Sequence, residues 1–316
     1  MDIKATNYVG ECMITIMFGA GASYDSGRTI PYNPPLGKDL FERLVSLKGA
    51  FYNLSDETKK VFIDDGFEAG MAKIPNDSRQ INPLQREIAI YLSKFQPTPN
   101  NAYTRLFKKL RLAMENISIV TLNYDILIEQ SLSLNGFQSD YKGSGDYGVT
   151  LLKPHGSSNF LPSYPHNNIF KNIVAIDCDV FMEGLEIDIA INSHDVIKWC
   201  GSLDNEDLSP VLCMYEKGKR AFINPSIIAE SQHKYNELVL ESDLIILAGI
   251  KYIEHDHHIW GVLEKNSSPL LIVDPYPQDT IDWANRVGKK DVQVIQSGFN
   301  DAVWKIVKVI KKHLYS

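Results

Sequence analysis

The stretch MITIMFGAG, residues 13–21, is a short apolar run that leads directly into two glycines. A run of this length bounded by glycine is typical of a strand buried on both faces of a parallel sheet. Comparable runs recur along the chain at residues 117–122, 149–152, 244–248, 270–273 and 292–295. Helical spacing of apolar residues fills intervals between them, as between Leu36 and Leu47. This alternation predicts an α/β fold built on a parallel sheet.

Two segments interrupt the alternation. Residues 55–116 are polar with helical spacing, which predicts a helical insertion. Residues 157–220 are irregular, with β-like runs at 172–177 and 185–191, which predicts a small irregular or β insertion. We therefore expect one domain over residues 1–316: a Rossmann-like parallel sheet flanked by helices and carrying both insertions.

Composition narrows the classes of function. The formal net charge of −7 gives no global positive field, so nucleic acid is not an expected partner. The four cysteines, Cys12, Cys178, Cys200 and Cys213, form no C-x-x-C pair, so we expect reduced thiols and no zinc ribbon. The N-terminus does not resemble a secretory signal, and no apolar run approaches the ~18 residues of a membrane span. These features predict a cytoplasmic protein that does not associate with a membrane.

The segment Gly19–Ser23, which follows the first predicted strand, is a candidate phosphate site. Glycines there let the backbone approach a pyrophosphate, and successive N–H groups can hold it. A tight structural turn explains the segment nearly as well, because Tyr24 replaces the third glycine of G-x-G-x-x-G. Asp39 has the spacing of the ribose-binding acid of dehydrogenases, but it lies inside a helical pattern. That mismatch argues against hydride transfer.

Polar residues follow two further predicted strands, in TLNYD at 121–125 and KPHG at 153–156. The amide of Asn123 can hold a water or ribose hydroxyls, and His155 can accept a proton near neutral pH. Each residue also has a structural interpretation. Asn123 is a common turn or cap residue, and a lone histidine is often buried in a core. Asp125 is predicted in the first turn of the following helix, where the helix dipole favours a carboxylate.

Two other groups are weaker candidates. Asp274 ends the apolar run 270–273, where a carboxylate can accept hydrogen bonds from both hydroxyls of a ribose or can cap the strand end. His255-Asp256-His257-His258 places imidazoles close together, as a metal site requires. Four polar residues at a helix start are a weak metal motif, so we predict no metal ligands.

Taken in order, these segments resemble the sirtuin family. GAGASYDSG at 19–27 is similar to the sirtuin opening G-A-G-x-S-x-x-S-G, and TLNYD at 121–125 is similar to T-x-N-x-D. His155-Gly156 resembles the catalytic H-G pair, and Leu244–Gly249 resembles the late strand that ends in a glycine beside the cofactor.

The resemblance implies that NAD is the ligand and substrate. It implies Asn123 and His155 as catalytic residues and, as NAD-binding residues, Gly19, Ala20, Gly21, Ala22, Ser23, Asp125, Gly156, Gly249 and Asp274. Deacylase sirtuins carry two C-x-x-C pairs that bind zinc, and residues 157–220 contain none.

In lacking the zinc ribbon, the chain resembles the sirtuin-like NAD hydrolases of bacterial antiviral defence, in which water is the nucleophile. The resemblance then implies hydrolysis of NAD to nicotinamide and ADP-ribose. It also implies control by a homo-oligomer, by a separate sensor subunit such as a nucleotide-sensing one, or by both. Two alternatives stay open: an NAD-dependent protein deacylase, and a non-catalytic subunit that binds NAD or ADP-ribose within a complex.

Overall fold

The computed structural model describes residues 12–75, 77–144, 148–164, 182–213, 223–254 and 256–315. Its strands are β1 (Ile14–Phe18), β2 (Thr29–Ile30), β3 (Gln96–Pro97), β4 (Ile117–Thr121), β5 (Ser139–Asp140), β6 (Val149–Leu152), β7 (Phe160–Ser163), β8 (Glu186–Ile189), β9 (Leu244–Ala248), β10 (Leu270–Val273) and β11 (Val292–Ile295). Its helices are α1 (Ala20–Tyr24), α2 (Gly37–Ser46), α3 (Asp56–Asp64), α4 (Phe67–Ala72), α5 (Ser78–Ser93), α6 (Ala102–Lys109), α7 (Leu127–Leu134), α8 (Ser193–Gly201), α9 (Pro225–Glu241), α10 (His257–Lys265), α11 (Gln278–Arg286) and α12 (Phe299–Tyr315).

Seven strands form one parallel sheet in the order β11-β10-β9-β1-β4-β6-β5. Every residue of the central strands β1, β4, β9 and β10 is buried, because helices cover both faces, and this explains their continuous apolar runs. The parallel sheet flanked by helices confirms the predicted fold class. The predicted bounds of β9, β10 and β11 agree with those observed.

The sheet separates two apolar layers. Along β1, Ile14, Ile16 and Phe18 point into the layer formed with α2, α5, α6, α7 and α12. Met17 points the other way, into the layer formed with α9, α10 and α11. This period of two is what a pleated strand imposes. No helix among the described ranges is long and apolar enough to cross a membrane.

The strand order reverses beside β1. The chain leaves β1 for β4 on one side and later returns to β9 on the other, and Phe18 lies opposite both Thr121 and Ala248. The carboxyl ends of these three strands therefore meet at one edge. In open α/β sheets, ligands bind outside this edge where the strand order reverses. The topology alone places a candidate site after Phe18.

Both predicted insertions are present. The first contains α3, α4, α5 and α6 and ends in a 3₁₀ turn at Arg111–Asn116. The second contains the antiparallel pair β7–β8, helix α8 and a 3₁₀ turn at Leu203–Asn205. Of the two predicted β-like runs, 185–191 contains β8, whereas 172–177 lies outside the described residues.

Helix α5 joins the two insertions through side chains that satisfy loop carbonyls. The Arg86 Nε donates to the carbonyl of Cys200 at 2.9 Å, and its Nη1 donates to the carbonyl of Asn205 at 3.1 Å. The Gln85 Nε2 donates to the carbonyl of Leu212 at 3.0 Å. Because buried carbonyls need partners, these bonds hold the second insertion against the first. They also anchor the 211–213 segment, which lies beside His155.

Candidate functional site

Two glycine-bearing loops touch where the strand order reverses. The Gly21 N–H donates to the Gly249 carbonyl at 3.1 Å, and the Gly19 N–H donates to the Ala248 carbonyl at 3.1 Å. A Cβ on Gly19 would lie 2.5 Å from the Gly249 carbonyl oxygen, and one on Gly249 would lie 2.0 Å from the Ala22 nitrogen. Gly249 also has a φ of +61°, which L-residues rarely adopt. These glycines are therefore required for the two loops to approach each other.

Asn123 is bonded onto this glycine segment. Its Nδ2 donates to the Gly19 carbonyl at 2.9 Å and to the Ser23 hydroxyl at 3.0 Å, while its backbone N–H donates to the Thr121 hydroxyl at 3.1 Å. Since a carbonyl only accepts, the contact with Gly19 fixes which end of the amide faces the loop. The amide nitrogen is committed to the protein, which leaves the carbonyl oxygen to accept from a ribose hydroxyl or a water.

Tyr103 and Asp125 complete a buried polar network around Ser23. The Tyr103 and Ser23 hydroxyls lie 3.0 Å apart. Burial raises the pKa of Asp125, while the nearby Lys153 charge and a hydrogen bond from Ser23 oppose that rise. The network thus connects the Asp125 carboxyl group to the Asn123 amide through the Ser23 hydroxyl.

Asp125 corrects one expectation. It does not lie in the first turn of α7, which begins at Leu127; it precedes the helix, and its Oδ1 accepts from the Leu127 N–H at 3.1 Å. A short acidic side chain satisfies an orphan N–H best from such a position outside the helix. The helix-start role of Asp125 is therefore observed, and its role toward NAD remains a proposal.

Lys153 joins the ends of β4 and β6, and sequence reasoning gave it no role. Its side chain is fully buried, and its Nζ donates to the Asp125 carbonyl and to the Glu129 carboxylate, each at 2.8 Å. Tyr141 donates to the same carboxylate at 3.2 Å. Two signals were available: a lysine directly after an apolar strand, and Glu129 four residues beyond Asp125 on a buried helix face. The bridge fixes the His155 strand end relative to the Asn123 strand end.

His155 contacts a second histidine that the sequence offered only as part of a weak metal motif. The Nε2 atoms of His155 and His258 lie 2.9 Å apart. In a hydrogen bond between these nitrogens, one donates and the other accepts. His258 lies in the first turn of α10, which follows β9 in the chain, and β1 and β4 separate β9 from β6 in the sheet.

Gly156 allows the segment after His155 to pair with residues 211–213. It bridges Leu212, and the Cys213 N–H donates to the His155 carbonyl at 2.9 Å. Its φ is +80°, and a Cβ there would lie 2.1 Å from the Val211 carbonyl oxygen. Gly156 thus has a structural reason to be glycine, and contact with NAD is not needed to explain it.

The Asn123 loop and the His155 segment are also joined directly. The Tyr124 hydroxyl donates to the Cys213 carbonyl at 2.6 Å, and the Ser158 N–H donates to the Tyr124 carbonyl at 3.0 Å. The structure therefore brings the two predicted catalytic residues to neighbouring strand ends and connects them through the partly buried Tyr124.

Asp274 lies at the same edge of the sheet, after β10. Its Oδ1 accepts from the Tyr276 N–H at 2.7 Å, so the side chain caps the end of the strand, as its structural interpretation predicts. Burial raises the pKa of the Asp274 carboxyl group. The neighbouring strands connect it to the glycine contact, because the Gly249 N–H donates to the Val273 carbonyl at 2.9 Å. Binding of a ribose by Asp274 remains a prediction.

The metal motif gains no support from the described ranges. They contain no group of three or more histidine, cysteine or acidic residues arranged to hold an ion. His258 meets His155, whereas His255 and Cys178 lie outside the described residues. Cys200 and Cys213 are buried in two separate apolar clusters.

No protein-family profile and no curated protein matches the sequence. Among solved structures, the chain is similar to a Sir2 homologue mutant in complex with 2′-O-acetyl ADP-ribose, at 15% identity over 96% of this chain and 94% of that chain, with a TM-score of 0.49. It is also similar to Sir2 bound to acetylated peptide, at 13% identity over 95% of this chain and 93% of that chain, with a TM-score of 0.49. A Sir2 homologue–NAD complex is similar at 14% identity over 96% of this chain and 90% of that chain, with a TM-score of 0.47. At these identities and TM-scores the likeness carries no argument about chemistry, so the residues themselves must support a function.

The glycine contact predicts a large asymmetry between two glycine-to-alanine substitutions. Gly249→Ala should lower the free energy of unfolding by ~2 kcal/mol or more, because it adds a clash and an unfavourable φ. Gly261→Ala in α10 is the matched control, since nothing lies within 4 Å of its Cβ position. A helical alanine there should stabilise by up to ~1 kcal/mol. Urea unfolding followed by circular dichroism measures both, and equal midpoints for the two variants would refute the contact.

Proposed function

We propose that the chain binds NAD at the carboxyl edge of the sheet and hydrolyses its nicotinamide–ribose bond. The supporting observation is the convergence of Asn123 and His155 at neighbouring strand ends, with the Asn123 amide bonded directly onto the glycine segment. The site fits a dinucleotide in its position, because it lies at the carboxyl ends of the strands where the strand order reverses.

In the proposed reaction the C–N bond breaks and its electron pair leaves with the nicotinamide nitrogen. The ribose becomes oxocarbenium-like, and a fixed arrangement of dipoles and charges stabilises it better than water does. The Asn123 carbonyl oxygen accepts from a ribose hydroxyl or from the attacking water. His155 accepts the proton that water loses as its oxygen bonds to the ribose carbon.

The buried charges support this assignment of roles. The Lys153 cation holds the Asp125 carbonyl and the Glu129 carboxylate, so the loop that carries Asn123 cannot move independently of the strand that precedes His155. A catalytic pair must be held within a fraction of an ångström of its working geometry. Lys153 is thus a positioning residue in this proposal.

We further propose that the enzyme is a regulated NAD-depleting effector of bacterial antiviral defence, controlled by self-assembly, by a sensor subunit, or by both. A hydrolase with ordinary turnover, on the order of 10 s⁻¹, would drain NAD from its own cell, so the competent state must be rare until it is needed. The second insertion is suited to control, because its 211–213 segment pairs with the residues after His155.

Substitution of either catalytic residue tests the hydrolase proposal. Asn123→Ala and His155→Ala should each slow nicotinamide release by ~10²–10⁴-fold, which is what a positioned polar or acid–base group contributes. His233→Ala, on the exposed side of α9, is the control and should keep wild-type turnover. Circular dichroism establishes that the variants are folded. Near-normal turnover in a folded Asn123 or His155 variant would remove that residue from the mechanism.

The contact between His155 and His258 predicts that His258 is a positioning residue for His155. Their Nε2 atoms lie 2.9 Å apart, so a hydrogen bond between them orients the His155 ring. His258→Ala removes that bond and should slow nicotinamide release by up to ~10²-fold, because a misplaced base loses its working geometry. His258→Gln keeps a hydrogen-bonding side chain and should retain more turnover than His258→Ala. His257→Ala, at the neighbouring exposed position, should keep wild-type turnover. Wild-type turnover in a folded His258→Ala variant would show that the contact does not act in turnover.

Regulation by assembly predicts that activity depends on concentration. Turnover per chain should fall as the protein is diluted, because dissociation depletes the competent state. The measurement is nicotinamide release across a wide dilution series, repeated with the products of neighbouring genes co-expressed. Constant high turnover from a lone monomer at every dilution would contradict regulation while leaving the hydrolase proposal intact.

A further inference from the structure

A hollow between α6 and α12 lies outside the candidate site. Its volume is about 450 Å³, and it is lined by Pro99, Asn100, Arg105, Lys108, Lys109 and Trp304. None of these residues belongs to the glycine contact or to the Asn123 and His155 segments. The volume falls within the ~300–1,000 Å³ of small-molecule sites.

The charge of the hollow is unbalanced. Arg105, Lys108 and Lys109 line it without an acidic side chain among the lining residues, although the whole chain carries a net charge of −7. The pKa of Lys109 is lowered by desolvation and by the positive charges of Arg105, Lys108 and Lys311. Like charges held this close repel one another, and an anion between them would remove that repulsion.

Trp304 gives the hollow an aromatic surface. Its side chain is 64% exposed, in contrast to the buried Trp260 and Trp283. The Lys109 Nζ lies 3.3 Å from the centre of the Trp304 ring, which brings a cation and an aromatic face into one place. Aromatic faces stack on nucleobases, and lysine or arginine binds phosphate.

The guanidinium of Arg105 is held in a fixed position. Its Nη2 donates to the backbone carbonyl and to the side-chain Oδ1 of Asn300, each at 2.8 Å. Its Nε is buried and has no hydrogen-bond partner within the described residues. The Asn300 N–H in turn donates to the Asp25 carboxylate at 3.1 Å, in the segment that follows the glycines. Hydrogen bonds through Asn300 thus connect Arg105 in the hollow to Asp25, which lies close to the glycine segment of the candidate site.

We propose that this hollow binds a free nucleotide, with its base against Trp304 and its phosphates on Lys108, Lys109 and Arg105. The size of the hollow suits one nucleotide, and the negative net charge of the chain disfavours a long phosphate backbone. The proposal is independent of NAD hydrolysis, because it depends only on the contacts of α6 and α12.

The test is ADP binding to the full chain by isothermal titration calorimetry. ADP is not a substrate of the proposed hydrolase, so failure of that activity does not affect this measurement. The double variant Lys108→Glu/Lys109→Glu should lose one ADP site or bind it ~10-fold more weakly or worse, because charge-assisted bonds to phosphate are lost. Lys305→Glu/Lys312→Glu makes the same charge change at exposed positions of α12 outside the hollow and should bind ADP as wild type does.

A second pair of variants tests the aromatic contact. Trp304→Ala should weaken ADP binding by ~5-fold or more, as expected when base stacking is lost. Tyr315→Ala removes an exposed aromatic ring elsewhere on α12 and should have no effect. Wild-type ADP affinity in the lysine double variant, or no ADP binding to any of the proteins, overturns the proposal. Binding of a short oligodeoxythymidine without binding of ADP also overturns it, in favour of single-stranded nucleic acid.

Discussion

The contact between two glycine loops at the carboxyl ends of β1 and β9 is the constraint on which the candidate site depends. Gly21 donates to Gly249, and no side chain fits between the loops. The contact holds α1 against the sheet edge, and Asn123 then bonds to the carbonyl of Gly19. The glycines and Asn123 therefore specify one local geometry. A side chain at either glycine would separate the loops and leave the Gly21 N–H without its acceptor, and loss of Asn123 would leave the Gly19 carbonyl without its donor.

A buried ion pair between Lys153 and Glu129 connects the ends of β4 and β6 at this edge. Burying the Lys153 ammonium costs several kcal/mol, which Glu129 and the Asp125 carbonyl offset. Well-packed apolar side chains would stabilise a fold at least as well, so the ion pair is not explained by stability. Its position under two strand ends is better explained by orientation, because the same cation links the loop after β4 to the segment that carries His155.

The sheet could be predicted from the sequence because each central strand is buried on both faces, which makes its apolar run continuous. Residue types at the strand ends could also be predicted, since Asn123 and His155 follow such runs. The pairings between elements could not. His258 is 103 residues from His155, and the contact depends on how α10 is packed beside β9. The Lys153–Glu129 pair depends on β6 lying next to β4, with β5 outside it, and periodicity alone does not specify strand order.

Product analysis of NAD turnover tests the central claim most directly. The chain, at high concentration and together with the co-expressed products of neighbouring genes, is incubated with NAD, with and without an acetylated peptide, and the products are separated and identified. If water is the acceptor at this sheet edge, nicotinamide and ADP-ribose appear in equal amounts and the peptide changes neither. Intact NAD under both conditions, or an acetylated ADP-ribose that forms only with the peptide, would contradict hydrolysis at this site.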